Sequence, residues 1–300
     1  MSLLVLGTVA FDTIETSFGK AEKILGGAAT FTSITSSYFT KPNILSIVGF
    51  DFPNNYIDLL KSHKINITGL DIHKTEKTFF WSGKYHEDMN IRDTIETQLN
   101  VLEHFNPVIP NSINNPDFLM LGNVVPAVQL NVFNQIKKKP KLVSMDTMNL
   151  WIDNCYEDLI KIIKKVDLLM INDQEIMELH QEKNIDSAIS KTFELGVEFI
   201  IVKMGSEGAL LISKKGQKFK CPAVKIETVM DPTGAGDSFA GGFMGYIAYR
   251  NSFSFDDLKN AVCWGTVMAS FCVENFGTKN IIHIDESSSM KRFESLIKDL

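Results

Sequence analysis

Residues 231–243 read DPTGAGDSFAGGF, and no other stretch of this 300-residue sequence is as informative about its fold. Gly234 and Gly236, on either side of Ala235, let the backbone turn so that successive N–H groups point into one pocket. A helical pattern from Gly236 to Arg250 follows, and its N-terminal end carries a partial positive charge. The stretch therefore predicts an anion site suited to a phosphoryl group.

Asp237 lies in the first turn of that predicted helix, where a carboxylate can take the proton of an attacking hydroxyl. The alternative is purely structural, since Gly-Ala-Gly also forms tight turns and Asp is common near helix starts. The residues alone leave both interpretations open. Two other nucleotide motifs fit poorly: Phe239 stands where a dinucleotide-binding loop has its third glycine, and no Gly-x-x-x-x-Gly-Lys-Ser/Thr run is present.

The rest of the chain alternates short apolar runs with helical patterns. Amphipathic segments such as Asp153–Lys164 lie between several of the runs, and a second long helical pattern covers Asp256–Glu274. This alternation predicts an α/β fold with a mostly parallel central sheet covered on both faces. The runs interpreted as buried strands are Leu3–Leu6, Ile44–Val48, Phe118–Leu121, Leu142–Met145, Leu168–Ile171 and Phe199–Val202.

Residues 8–18 and 69–100 do not follow this rhythm. Within the second segment, residues 78–85 have strong β character. We interpret the two segments together as a small β-sheet lid that projects from the main sheet, although a surface hairpin without a role is an alternative. No internal repeat or linker interrupts the chain, so we expect a single domain over residues 1–300 that carries this lid.

Composition favours a cytoplasmic protein with a small-molecule ligand. The net charge of −6 gives no reason to expect nucleic acid or a membrane as partner, and no apolar stretch approaches the ~18 residues of a membrane span. The first residues show neither a basic segment nor a cleavage site, so we expect no signal peptide. The six histidines show no His-Glu-x-x-His pattern, so metallohydrolase chemistry has no support. The cysteines lack Cys-x-x-Cys spacing and resemble thiols of a reducing compartment: Cys155, Cys221, Cys263 and Cys272.

The pattern Asp-x-Thr-Gly-Ala-Gly-Asp-x-Phe at residues 231–239 resembles the C-terminal signature of the PfkB, or ribokinase-like, carbohydrate kinases. Other stretches match in the order of that family, so the resemblance covers nearly the whole chain. It implies a three-layer α/β/α fold and transfer of a phosphoryl group from ATP, with Mg²⁺, to an alcohol. It also implies that the amides of Gly234, Ala235 and Gly236 form the anion hole and that Asp237 is the base.

The resemblance places substrate-binding residues near the N-terminus. Gly26 and Gly27 correspond to the di-glycine motif of the family, and Asp12 to its early aspartate, which binds sugar hydroxyls. Phe31 stands near the position of the usual asparagine, so an aromatic ring is expected there and an ordinary ribose or fructose substrate is in doubt. The structural alternatives are a close-packed turn for the glycines and an ordinary polar residue at a strand end for Asp12.

Two further stretches resemble nucleotide-binding elements of the family. Asn172 and Glu175 fit the Asn-x-x-Glu motif, which holds the magnesium-bound phosphates, and they also fit a helix capping box. Lys203, Gly205 and Gly208 match the nucleotide loop. Their structural alternative is a solvated charge followed by a hairpin turn.

The family resemblance also suggests three features with weaker motifs. Asp146 and Asn149 resemble the Asp-x-Asn region of some sugar kinases, with a spacing one residue longer. The loop from Glu274 to Thr278 corresponds to the stretch that closes over adenine. Family members often bind a monovalent cation between this loop and the Asp231 region, which makes K⁺ a candidate cofactor. Lids of the family often pair between subunits, so a homodimer through the lid is expected.

We therefore expect an ATP-dependent kinase that phosphorylates a hydroxyl of a sugar or sugar-like molecule. A nucleoside kinase of the same fold is the nearest alternative, because Phe31 and the aromatic residues of the lid favour a ring-bearing substrate. A catalytically idle nucleotide or sugar sensor is another, although such a binder has no need of Asp237. The sequence lacks the glycine fingerprint of a dinucleotide-binding oxidoreductase, so it does not favour that class.

Overall fold

The structure, a computed structural model, describes residues 1–300 as a nine-stranded sheet between two layers of helices, together with a separate four-stranded sheet. The strands are β1 (Leu3–Leu6), β2 (Ala10–Thr16), β3 (Gly19–Gly26), β4 (Pro42–Val48), β5 (Asn66–Ile72), β6 (Phe80–Tyr85), β7 (Arg92–Gln98), β8 (Phe118–Leu121), β9 (Leu142–Asp146), β10 (Leu168–Asn172), β11 (Phe199–Lys203), β12 (Ala209–Ser213) and β13 (Lys218–Cys221). The helices are α1 (Ala28–Ser36), α2 (Asn54–Ser62), α3 (Pro126–Gln135), α4 (Asn149–Asn154), α5 (Tyr156–Ile163), α6 (Asp173–His180), α7 (Ile185–Glu194), α8 (Ala235–Arg250), α9 (Phe255–Cys272) and α10 (Glu286–Lys298).

The large sheet has the strand order β13-β12-β11-β10-β9-β8-β1-β4-β5. The seven strands from β11 to β5 are all parallel to their neighbours, whereas β12 and β13 extend one edge in antiparallel fashion. The prediction of a mostly parallel sheet is confirmed. All six predicted strands are present, within two residues of the predicted bounds.

Strand residues alternate between two cores, one on each face of the large sheet. Leu3 and Val5 of β1 pack into the core shared with α1, α2, α8, α9 and α10. Leu4 and Leu6 of the same strand pack into the core shared with α3 and α5–α7. Because both faces are buried, these strands need apolar residues at every position, which is why they are recognisable as continuous apolar runs. The three-layer α/β/α architecture is thereby confirmed.

The small sheet has the order β3-β2-β6-β7, with β2 parallel to β6 and the other pairs antiparallel. A small core of its own includes Ile14, Tyr85 and Phe276, and Phe276 comes from the loop after α9. The composition of this sheet differs from the predicted segments. Residues 19–26 belong to it as β3, whereas residues 69–72 belong to β5 of the large sheet.

Two helix predictions need adjustment. The amphipathic segment Asp153–Lys164 is divided between α4 and α5, because Cys155 adopts a non-helical φ of −137°. The predicted long helices correspond to α8 and α9, whose ends lie within two residues of the predicted ones. No helix is long and apolar enough to cross a membrane.

Candidate active site

The turn before α8 presents free backbone donors. Gly234 is the N-cap residue of α8 and has a φ of +78°, a conformation that favours glycine. The N–H groups of Gly236 and Asp237 have no backbone acceptor, as is usual in the first turn of a helix. A Cβ atom at Gly234 would lie 2.5 Å from the Phe31 ring, so only glycine fits there. The turn therefore combines two available amides with the positive end of a 16-residue helix.

Three parallel strands bring polar residues to the same edge of the sheet as this turn. Asp146 ends β9, Asn172 ends β10 and Lys203 ends β11. Asn172 lies opposite Lys203 in the ladder, and Asp146 lies opposite Met170, two residues before Asn172. Carboxyl ends of parallel strands are where open α/β sheets bind ligands, so this row forms one side of a candidate site.

Lys203 connects that row to the glycine turn. Its Nζ lies 2.7 and 2.8 Å from the two carboxylate oxygens of Asp146, and a Cβ atom at Gly236 would lie 3.1 Å from the same Nζ. Burial lowers the pKa of Lys203, but the carboxylates of Asp146 and Glu175 outweigh burial and raise it above its ordinary value. The side chain is therefore a fixed ammonium ion beside the free amides. Asp146 holds the ammonium group there, although the motif around Asp146 resembled the family only weakly.

Asp237 lies at the junction of the turn and the row. Burial raises the pKa of its carboxyl to about 7, and the charge of Asp146 adds to this effect. The positive charges of Lys203 and Arg92 oppose the rise. Its backbone carbonyl accepts a hydrogen bond of 3.1 Å from Thr32 Oγ1, which joins α1 to α8. The carboxyl is thus held in a partly buried position where its pKa matches neutral pH.

Asp12 and the two glycines face Asp237 from the N-terminal side. Asp12 is 5% exposed, and a Cβ atom at Gly26 would overlap its carboxylate. Burial raises the pKa of Asp12 to about 7, the charges of Asp231 and Asp237 add to the rise, and a hydrogen bond from the Gly27 amide lowers it. Gly27 has a φ of +93° and begins α1. The structure thus brings Asp12 within the electrostatic range of Asp237.

Phe31 lies behind the glycine turn. It is 1% exposed, and its ring packs against Gly234. The ring therefore has little surface left for a substrate. Its visible effect is to support the turn from the side of α1.

Asn172 and Glu175 form the predicted capping box at the start of α6. Asn172 Oδ1 accepts from the Glu175 amide at 2.7 Å, and Glu175 Oε2 accepts from the Asn172 amide at 3.0 Å. Burial raises the pKa of Glu175 to about 7, although Lys203 lowers it. One carboxylate oxygen, Oε1, takes no part in the box.

This donor set fits a magnesium ion that is held mainly by a phosphate ligand. No group of three or more His, Cys, Asp or Glu side chains could form a protein cage for a metal. Mg²⁺ commonly keeps several waters and takes one or two carboxylates together with substrate phosphates. Glu175 Oε1, directly or through water, matches that pattern.

The predicted nucleotide loop connects β11 to β12. Gly205 has a φ of +54° and Gly208 a φ of +92°, and a Cβ atom at Gly208 would lie 2.0 Å from the Cys221 carbonyl oxygen. Both glycines are therefore required by the backbone of this hairpin. A Cβ atom at Gly205 would lie 3.3 Å from Asn90 Oδ1, so the tip of the β6–β7 hairpin approaches this loop.

Asp231 joins the glycine turn to the loop after α9. Its two carboxylate oxygens accept from the amides of Thr233 and Gly277, each at 2.9 Å, and the side chain is fully buried. Thr233 Oγ1 lies 3.0 Å from Tyr85 Oη, so the small sheet also contacts the turn. The first residue of the motif therefore has a structural role that its sequence pattern did not reveal.

The structure brings the predicted residues of the turn, the N-terminal motif and the Asn-x-x-Glu motif around one site. One neighbour, Arg92 of the small sheet, was missed. Tyr85 was expected only as an aromatic residue of the lid, and no local motif marks either residue because their approach depends on how β6 pairs with β7. Asn149, by contrast, is exposed at the start of α4.

The chain belongs to the pfkB family of carbohydrate kinases, whose family model (pfkB family carbohydrate kinase) matches residues 3–285. It is thus a kinase of the ribokinase-like fold. It is 26% identical over 247 residues to the cytidine kinase of Thermococcus kodakarensis, with 81% of this chain and 87% of that protein covered. It is 28% identical to the nucleoside kinase of Methanocaldococcus jannaschii, with 86% and 82% covered.

Solved structures agree with this assignment. The crystal structure of a nucleoside kinase from Methanocaldococcus jannaschii, a ribokinase family member, is 26% identical, covers 98% of both chains and has a TM-score of 0.78. A candidate ribokinase II from E. coli, in complex with ATP and Mg²⁺, has a TM-score of 0.81 at 20% identity. The latter likeness concerns the fold.

Proposed function

We propose that this kinase transfers the terminal phosphoryl group of ATP to a hydroxyl of a sugar or sugar-like molecule, with Asp237 as the base. The hydroxyl oxygen forms a bond to the terminal phosphorus, its proton passes to Asp237, and the bond from that phosphorus to ADP breaks. The observation that carries the proposal is the position of Asp237, in the first turn of α8, beside the free amides of that turn and within reach of the Lys203 charge.

The pKa of about 7 suits Asp237 to this role. A base works best when its pKa lies near the operating pH, because it is then both ionised and basic enough to take a proton. A carboxyl of ordinary pKa 3.8 would be a far weaker base. The burial that raises the pKa also excludes water from the reacting atoms.

The amides of Gly234 and Gly236, with the N-terminal end of α8, would stabilise the charge of the transferring group. The Ala235 amide, expected in the same anion hole, instead donates to the Pro232 carbonyl oxygen at 3.2 Å. Lys203 would add a positive charge on the nucleotide side, held in place by Asp146. Phe31 is a positioning residue in this scheme, since its ring supports the turn from behind.

Asp12, Gly26 and Gly27 would form the substrate side of the site. A hydroxyl held by the buried Asp12 carboxylate would lie on the side of Asp237, whose charge helps to raise the pKa of Asp12. The packing of Asp12 on Gly26 leaves no room for a side chain at that glycine, so the pair acts as a unit.

Asn172, Lys203, Gly205 and Gly208 would bind the nucleotide, and Glu175 would hold Mg²⁺ through its remaining oxygen. When bound, Mg²⁺ would neutralise phosphate charge. K⁺ is a further candidate near Asp231, whose hydrogen bonds join the glycine turn to the loop after α9. A rate that rises when K⁺ replaces a bulky organic cation supports that site, and an unchanged rate contradicts it.

Among acceptors, nucleosides are supported by the relatives. The two curated relatives described above are named for cytidine and for nucleosides, and each is covered over more than four fifths of its length. A nucleoside contains the sugar hydroxyl that the general proposal requires.

The test is ADP release by the purified protein with MgATP against a panel of free sugars, sugar acids, polyols and nucleosides. Turnover with one class supports the proposal and names the acceptor class, and turnover with nucleosides alone selects the nucleoside kinase. Tight ATP binding without turnover on any acceptor would favour the sensor alternative, and the absence of ATP binding would contradict the whole assignment.

A further inference from the structure

Arg92 is the residue outside the family motifs that is best placed to act on the site. It lies at the start of β7, directly opposite Tyr85 across the β6–β7 hairpin, so the two side chains share one face of the small sheet. Its guanidinium carbon lies 5.8 Å from the centre of the Trp81 ring on the same face. Tyr85 Oη is 3.0 Å from Oγ1 of Thr233, which precedes Gly234.

The hairpin spans the site from the anion hole to the nucleotide loop. At one end Tyr85 contacts Thr233, and at the tip Asn90 approaches Gly205. Tyr85 and Arg92 are the last pair before the tip. Arg92 therefore lies on the part of the hairpin between these two points of approach, opposite Tyr85.

Lys203 does not balance the carboxyl groups of the site, so phosphates bound there would need another cation. Lys203 is already bound to both oxygens of Asp146. The positive charge of Arg92 lowers the pKa of both Asp237 and Glu175, so its charge is felt at both carboxyls. The carboxyl groups whose charges act on one another at this site are Asp12, Asp146, Glu175, Asp231 and Asp237.

Arg92 is also available for a phosphate. It forms no salt bridge, whereas Lys84, which precedes Tyr85 on β6, is paired with Glu15 at 2.6 Å. The Arg92 side chain is exposed. A guanidinium group can donate two parallel hydrogen bonds to phosphate oxygens, which a lysine cannot do.

We propose that Arg92 is a catalytic residue, delivered by the small sheet, which donates hydrogen bonds to the phosphoryl group in transfer while Tyr85 holds the hairpin on Thr233. Arg92 forms and breaks no covalent bond; it neutralises charge on the non-bridging oxygens as the hydroxyl attacks and ADP leaves. When the lid closes over the site, it would therefore also bring the positive charge of Arg92 to the phosphoryl group. This inference rests on the proposed function.

The experiment compares Arg92→Gln and Arg92→Lys with the matched control Lys84→Gln, in steady-state assays of the full-length enzyme with its best acceptor. Lys84 is a cation on the adjacent position of β6 and points to the opposite face of the sheet. We expect kcat to fall roughly a hundredfold in Arg92→Gln, as for other single donors to a transition state. Arg92→Lys should retain an intermediate kcat, and Lys84→Gln should match the wild type.

Guanidinium rescue separates catalysis from structure. Millimolar guanidinium should restore part of the kcat of Arg92→Gln and should not change that of Lys84→Gln. A merely structural role of Arg92 would not produce this rescue. An Arg92→Gln enzyme as active as Lys84→Gln, or one that guanidinium does not restore, overturns the role of Arg92 and leaves the proposed function intact. An inactive wild-type enzyme would instead refute the proposed function, and this role with it.

Discussion

Asp237 shows how one residue can serve catalysis at a cost to stability. Its burial raises the pKa to about 7, which improves the carboxylate as a base, but the same burial makes the ionised form less favourable in the folded protein. Both consequences can be measured separately, since one concerns the rate and the other the free energy of unfolding.

The first prediction concerns the pH dependence of the rate. Because Asp237 must be ionised to accept a proton, kcat/KM should rise as the pH increases from 5 and level off above its pKa of about 7. The measurement is a pH profile of kcat/KM at saturating MgATP. A profile that is flat down to pH 5 would show that no group of this pKa controls the reaction.

The second prediction concerns stability. A carboxyl whose pKa is about 7 in the folded protein and 3.8 when unfolded keeps its proton in the folded protein while the unfolded chain loses it. Stability therefore falls as the pH rises from about 4 to about 7, and the loss is complete above 7. Asparagine cannot ionise, so Asp237→Asn without ligands should unfold at a higher temperature than the wild type at pH 8, and at nearly the same temperature at pH 4.

Thermal unfolding at the two pH values is the test. Asp256→Asn is the matched control, because Asp256 also lies in the first turn of a helix, α9, but is exposed. An equal effect of Asp237→Asn at both pH values would argue against the raised pKa.

At the scale of elements, the sequence was most informative where burial is complete. Strands such as β1 and β8 are apolar throughout because both faces meet a core, and their bounds were predicted correctly. β3 was missed because its residues Gly19–Gly26 mix charged, glycine and apolar residues without a clear alternation, half of them are exposed, and the strand pairs only with β2. The break at Cys155 was equally hidden, since the amphipathic pattern continues across it.

The same limit applies to the candidate site. The glycine turn, Asp237 and the Asn172 capping box were found because each is a local pattern. Asp146 was indicated only weakly and Arg92 not at all, because their roles depend on sheet register and on the position of the small sheet over the large one.

The third prediction tests the contact between these sheets. The hydrogen bond between Tyr85 and Thr233 should contribute about 1 kcal/mol to the closed position of the hairpin. Tyr85→Phe and Thr233→Val should each lower kcat, and the double variant should be no worse than the poorer single variant. Fully additive losses in such a double-mutant cycle would show that the two groups do not act together.

At the scale of the whole molecule, the small sheet has an unpaired edge. β7 is its outer strand and is exposed along its length. Ile91, Ile95 and Leu99 in and beside it are 55%, 65% and 49% exposed. An open edge with apolar side chains is a template for another strand, and we propose that a second copy of this chain pairs there.

The fourth prediction follows from that edge. The wild type should be a dimer by light scattering at micromolar concentration, and Ile95→Lys should shift it toward the monomer. Ile72→Lys is the matched control, because Ile72 is 53% exposed on β5, the edge strand of the large sheet. A monomeric wild type would contradict the proposed interface, and so would an Ile95→Lys variant that remains dimeric.

The small sheet would then serve the molecule in two ways, as a dimer surface and as a lid over the candidate active site. A closed lid excludes water from the phosphoryl group, which limits hydrolysis of ATP without an acceptor. The contacts of Tyr85 and Asn90 with the two loops of the site support this role.

The measurement that tests the central claim most directly is the turnover of Asp237→Asn beside Asp256→Asn, with ATP affinity determined by calorimetry for both. We predict that Asp237→Asn binds MgATP with nearly wild-type affinity but loses on the order of a hundredfold or more in kcat, while Asp256→Asn keeps both. An Asp237→Asn enzyme that retains the wild-type kcat would contradict the assignment of Asp237 as the base.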